Sequence, residues 1–147
     1  MAESERSGDL VYNRGLIDDP EAFARDAEAA SWLFLCGEEF AAMEGGMSYA
    51  SVQAAVGESA NVVSDAPRVL DLDLARQLVA VLDRLPRPTL VTCRTGLRSS
   101  AVVYLYEGLR AGASADEVLA RADADGAPFA TSGDLRAWVA HGLAELA

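Results

Sequence analysis

Three short apolar runs constrain this chain more than any other feature: Trp32-Leu33-Phe34-Leu35-Cys36, Ala60 to Val63, and Thr89-Leu90-Val91-Thr92. Each is too short for a stable helix and lacks the in–out alternation of a half-exposed strand. Strands with helices packed on both faces read this way, and they belong to parallel sheets. Between the runs the apolar spacing turns helical. Asp19-Pro20 is a cap followed by proline at the first helical position, with Phe23, Ala27 and Ala30 on one face. Ser48 caps a segment carrying Tyr49, Val52, Ala55 and Val56. From Asp71 to Leu85 the apolar positions are 74, 75, 78, 82 and 85, until Pro86 and Pro88 end the helix. Ser114-Ala115-Asp116-Glu117 is a capping-box pattern, and a last helix has Leu135, Trp138, Val139, Gly142, Leu143 and Leu146 on one face. Leu10 to Tyr12 adds a short edge strand, and Glu38 to Gly46 a loop or short helix. The expectation is one α/β domain over residues 9–147, a small, mainly parallel sheet flanked by helices, after a flexible polar segment 1–8.

Composition narrows the functions open to such a domain. With 51% hydrophobic and 24% charged residues, the 147-residue chain can bury a real core. Its 12 basic residues are all arginine and face 23 acidic ones, for a net charge of −11. Such a surface is repelled by phosphate backbones and anionic lipid, which argues against nucleic-acid and membrane partners. No apolar run approaches the roughly 20 residues that span a bilayer. The start, MAESERSGDL, lacks the basic and apolar parts of a secretion signal. A soluble cytoplasmic protein is expected, with an organelle stroma or matrix as the alternative. Cys36 and Cys93 are the two cysteines and His141 the one histidine, which supports neither a disulfide scaffold, nor zinc, nor a Ser-His-Asp triad. No metal or organic cofactor is expected.

The chemistry concentrates in Thr92-Cys93-Arg94-Thr95-Gly96-Leu97-Arg98-Ser99-Ser100, between a buried strand and a helix. Ligands of open α/β sheets bind beyond the carboxyl ends of the strands. A loop curling there into a helix turns backbone N–H groups inward and makes an anion cradle. A cysteine at its floor is stabilised as thiolate by those donors and by the helix dipole. Gly96 allows a backbone conformation that a side chain hinders. Arg98 can offer a planar fork to an oxyanion, and Ser99 a hydroxyl to the thiolate.

CRTGLRS resembles the active-site loop of rhodanese-type sulfurtransferases, in which four residues separate cysteine from arginine. Protein tyrosine and dual-specificity phosphatases have five, and here the position after five is Ser99. The order of elements from about Asp9 to Phe129 is similar to that of phosphatase-like sulfurtransferases, small domains with a dual-specificity-phosphatase-like fold and a rhodanese-length loop. A rhodanese-like α/β fold is the alternative. Two positions depart from that family: Thr92 stands where it has histidine, and Cys36-Gly37 where it has Arg-Pro.

The resemblance implies a sulfurtransferase that moves sulfane sulfur through a Cys93 persulfide. The donor would be a small anion such as thiosulfate or a glutathione persulfide, and the acceptor a thiol or cyanide. Cys93, Arg98 and Ser99 would be catalytic, and Arg94, Thr95, Gly96 and Leu97 would bind substrate. Cys36 would accept sulfur from Cys93 or close a protective disulfide with it, unless it is an inert core thiol. Asp65, 28 positions before Cys93, lies about where a dual-specificity phosphatase keeps its general acid, or is a turn residue beside Pro67. Arg94 is expected to face outward, and Thr92 to brace the loop. Trp138 reads as core, or as a homodimer contact if its helix projects. The alternatives are a cysteine-dependent phosphatase acting through a phosphocysteine, and a non-catalytic binding module that keeps the loop.

Overall fold

The computed structural model describes residues 3–65 and 67–147. Five strands form one sheet in the order β1-β2-β5-β3-β4: β1 is Glu3–Ser7, β2 Leu10–Arg14, β3 Ser31–Phe34, β4 Glu58–Asn61 and β5 Thr89–Thr92. β1 pairs antiparallel with β2, while the β2–β5, β5–β3 and β3–β4 pairs are parallel. The helices are α1 Pro20–Asp26, α2 Glu38–Ala42, α3 Tyr49–Ala55, α4 Leu72–Arg84, α5 Leu97–Ala111, α6 Ala115–Asp125 and α7 Gly133–Leu146.

Right-handed crossovers decide which face each helix covers. The β2-to-β3 and β3-to-β4 connections step one way across the sheet, so α1 and α3 share a face and touch each other. The β4-to-β5 connection steps back, which sends α4 to the opposite face, where it packs on α5 and α7. One core cluster runs through both layers, with Trp32, Leu33, Leu74, Leu90 and Val103 fully buried. β5 is central, and its chain leaves for one face while those of β2 and β3 leave for the other. That reversal opens the crevice in which open α/β sheets hold ligands.

Five helices carry the side-chain caps that orphan N–H groups require. Asp19, Ser48, Asp71, Ser114 and Ser132 each accept from the first turn of α1, α3, α4, α6 and α7, and both halves of the Ser114–Glu117 box are formed. α5 begins at Gly96 and α2 at Gly37, neither with a side-chain cap.

Several expectations need correction. Most of the polar segment 1–8, expected to be flexible, is the edge strand β1. Its ladder is backbone only, so Glu-Ser-Glu-Arg-Ser shows no apolar pattern, and charged side chains suit an edge. Leu10 to Tyr12 is therefore interior, not an edge. The run Ala60 to Val63 is not a buried strand: β4 starts earlier, lies at the sheet's other edge and is only half covered. Trp138 is core, with its indole N–H donating to the Asp71 carbonyl at 2.9 Å. The α7 face packs on α4, α5 and α6 of the same chain, so it gives no ground for a homodimer. Among the described residues no helix is long and apolar enough to cross a membrane.

Candidate active site

The loop at the end of β5 folds around one sulfur atom. Cys93 is buried, and its Sγ accepts from the N–H of Gly96 at 3.1 Å and of Ser99 at 3.4 Å. Ser99 is the third residue of α5, so the sulfur stands where a capping oxygen stands in the other helices. α5, whose N-cap glycine has no side chain to offer, is thus capped by the candidate nucleophile, which holds the sulfur at the positive end of the dipole. Ser99 Oγ lies 3.4 Å from Sγ and accepts the thiol proton.

Gly96 has to be glycine. Its φ is 109°, and a Cβ there would lie 2.2 Å from the backbone oxygen of Asn13. That close approach locks the loop against β2, and the Gly15 N–H completes the join by donating to the Thr95 carbonyl at 2.8 Å.

Asn13, fully buried on β2, is the site residue that sequence reasoning missed. Its Oδ1 accepts from Cys93 N–H at 3.2 Å and from the Ser99 hydroxyl at 2.9 Å. Its Nδ2 donates to the carbonyls of Gly15 at 2.9 Å, Cys93 at 3.1 Å and Arg94 at 3.4 Å. One amide thereby fixes both ends of the cysteine loop. A polar residue inside the otherwise apolar Leu10-Val11-Tyr12 strand was the available signal, since a buried amide needs partners.

Two arginines reach the cradle. Arg98 sits in the first turn of α5, and its buried Nε has no hydrogen-bond partner among the described residues. A buried, unpaired guanidinium donor beside a ring of N–H groups is what an anion site looks like before its anion arrives. Arg94 does not face outward as expected. It lies over the Phe40 ring, 5.7 Å from its centroid, and pairs with Asp65 at 3.1 Å. Asp65 is a turn residue, its carbonyl accepting from the Arg68 N–H at 3.1 Å, and its side chain, on a residue 7% exposed, is held at the loop by Arg94.

Thr92 does not brace the loop through its side chain. Its hydroxyl accepts from the Trp32 indole at 2.8 Å inside the core. Leu97 is exposed, and Thr95 contributes its carbonyl. Cys36 does come close to the site: Cys93 and Asp65 push its thiol pKa up while Arg94 and Arg98 pull it down. Burial dominates, and the pKa rises to about 12. A buried thiol that stays protonated is a poor nucleophile, which weighs against a relay role. His141 is exposed on α7, and the cradle residues come from β2 and the β4–α4 and β5–α5 connections.

The architecture is a phosphatase-like α/β fold: a small mixed sheet flanked by helices, with a cysteine loop closing its central strand. Sequence comparison matches no family model and no curated protein. Solved structures do match. Tk-PTP shares 14% identity at a TM-score of 0.74, covering 97% of each chain. The candidate phosphatase nma1982 of Neisseria meningitidis shares 17% at 0.70, over 95% of this chain and 96% of that one. The catalytic core of the PP-IP phosphatase Siw14 from S. cerevisiae shares 13% at 0.65, over 92% of this chain and 82% of its own. These neighbours overturn the sulfurtransferase expectation, and with it the rhodanese assignment, the Cys93 persulfide, the anionic sulfur donor and the thiol acceptor. Loop length misled because it counts residues between cysteine and arginine and ignores what else reaches the loop. Asp65 does reach it, through its ion pair with Arg94.

Proposed function

We propose that this protein is a cysteine-dependent phosphatase acting on a phosphate monoester through a phosphocysteine intermediate. The observation that supports it most is Asp65, a carboxylate held beside a thiol cradle whose Arg98 donor is unpaired. In this reading α5's first-turn N–H groups and Arg98 bind the phosphate dianion, and Arg94 turns toward it and frees Asp65. Asp65, freed from Arg94, takes up the proton that the Cys93 thiol gives to solvent, and the Cys93 thiolate attacks phosphorus. The ester P–O bond breaks, and the departing oxygen takes a proton from Asp65. Water then attacks the phosphocysteine and gives its proton to the Asp65 carboxylate. The P–S bond breaks, and Gly96 N–H and Ser99 N–H receive the returning thiolate.

The test is hydrolysis of 4-nitrophenyl phosphate by wild type, C93S and D65N. C93S is expected to lose at least about 10³-fold in kcat. D65N should lose about 10²- to 10⁴-fold on esters with poor leaving groups and much less on 4-nitrophenyl phosphate. Rapid acid quenching of wild type during turnover should trap one phosphoryl group on the Cys93 peptide. Wild-type turnover that survives in C93S would exclude the phosphocysteine route.

A further inference from the structure

Among the described residues the exposed large hydrophobic side chains are Leu16, Met43, Val63, Val69 and Leu97. They come from four different connections, yet all follow the carboxyl ends of parallel strands: β2, β3, β4 twice, and β5. Val69 shares a groove with Trp138 and His141 of α7, whereas the other four stand on the segments that follow the strand ends on the Cys93 side of the sheet. These four stand one step from an atom of the cradle. Leu16 follows Gly15, whose N–H holds the Thr95 carbonyl. Leu97 follows Gly96. Val63 lies within 3.2 Å of a Cβ built on Gly37, where the Asp65 carboxylate also approaches, at 3.7 Å. The N–H of Met43 donates to the carbonyl of Phe40, the ring beneath Arg94.

Charge at this edge tells against a polyanion. Arg14 is paired with Glu5 and Arg68 with Asp71, which leaves Arg98, joined by Arg94 once it turns from Asp65, to meet the single phosphate. Glu38, Glu39 and Glu44 are exposed on the same edge. One phosphate has a place prepared for it. A second or third would meet carboxylates and apolar side chains.

Resting on the phosphatase reading, we infer that the substrate carries a single phosphate on an apolar group, aromatic or aliphatic, and that the rim of Leu16, Met43, Val63 and Leu97 receives that group. Nucleotides, sugar phosphates and inositol polyphosphates are disfavoured. This separates the chain from Siw14, a PP-IP phosphatase.

The experiment compares 1-naphthyl phosphate with 4-carboxyphenyl phosphate, whose phenols are of similar acidity, so that leaving-group chemistry is matched and only the carrier differs. The full-length protein is expected to favour the naphthyl ester by about tenfold in kcat/KM, mostly through KM. L16S and V63S, tested singly, should narrow that ratio, and inositol hexakisphosphate should compete weakly. Equal turnover of the two esters, a ratio unmoved in both variants, or strong competition by inositol hexakisphosphate would overturn the inference and leave the phosphatase standing. Hydrolysis of neither ester, with 4-nitrophenyl phosphate also untouched, would overturn both.

Discussion

At the scale of single residues, Asn13 and Cys36 are opposites. Asn13 satisfies five hydrogen-bonding groups, four on the backbone of Gly15, Cys93 and Arg94 and one the Ser99 hydroxyl, so its loss strands buried polar atoms rather than removing a contact. N13A is expected to cost about 1–3 kcal/mol in urea unfolding. It should also lower kcat by more than any change in KM, because the Cys93 N–H and Ser99 hydroxyl lose their shared acceptor. A variant that unfolds earlier yet turns over normally would make Asn13 structural only. Cys36, with its thiol pushed up to about 12 by burial, stays protonated at neutral pH. Iodoacetamide at pH 7 should therefore alkylate Cys93 and spare Cys36 in the native protein, while both react in urea; peptide mass spectrometry reads the difference. Preferential native labelling of Cys36 would contradict the assignment of the nucleophile.

Among the elements, α5 carries the site because its N-terminal N–H groups are met by the Cys93 sulfur and not by a capping oxygen. Ser114 and Asp71 spend their oxygens on α6 and α4, whereas α5 offers its donors to sulfur and to whatever anion binds beyond it. Gly96 makes the arrangement reachable. G96A would force a side chain into a left-handed backbone and against the Asn13 carbonyl, at a cost of about 1–3 kcal/mol or more. Displacing the loop by even 1 Å is worth about 10²-fold in rate. The expected result is a loss of kcat/KM on that order in protein that still folds by circular dichroism. Near-normal activity in G96A would mean that the loop reaches its geometry without the close approach to β2.

Across the whole molecule, β1 and α5 are tied by Ser7, which donates to Glu107. Burial holds the Glu107 carboxyl above its ordinary 4.5, with Ser7 and Arg121 opposing. A carboxyl whose folded pKa exceeds its unfolded one contributes stability below the unfolded value and loses it as pH rises through the folded value. E107Q keeps an acceptor for Ser7 and escapes that loss. Its melting temperature relative to wild type should rise by about 1–3 °C between pH 4 and pH 8. A difference that is flat or falls with pH would show that the carboxylate is better accommodated than its burial implies.

Much of this protein was legible along the chain. β5, α4, the Ser114 box and the loop from Cys93 to Ser99 are local patterns, set by side-chain period, caps and a glycine, and they fold as they read. β1 was invisible because an edge ladder is made of backbone and leaves no apolar trace. Asn13 stands 80 positions before Cys93, and only the parallel pairing of β2 with β5 brings its amide under the loop. Asp65 reads first as a turn residue, which it is, and only the tertiary fold shows its carboxylate paired with Arg94 of the cysteine loop. Loop length is a local quantity and pointed to sulfur chemistry. The phosphate reading depends on which distant carboxylate and amide share the cradle, and that is decided by strand order and crossover hand, which no single segment encodes.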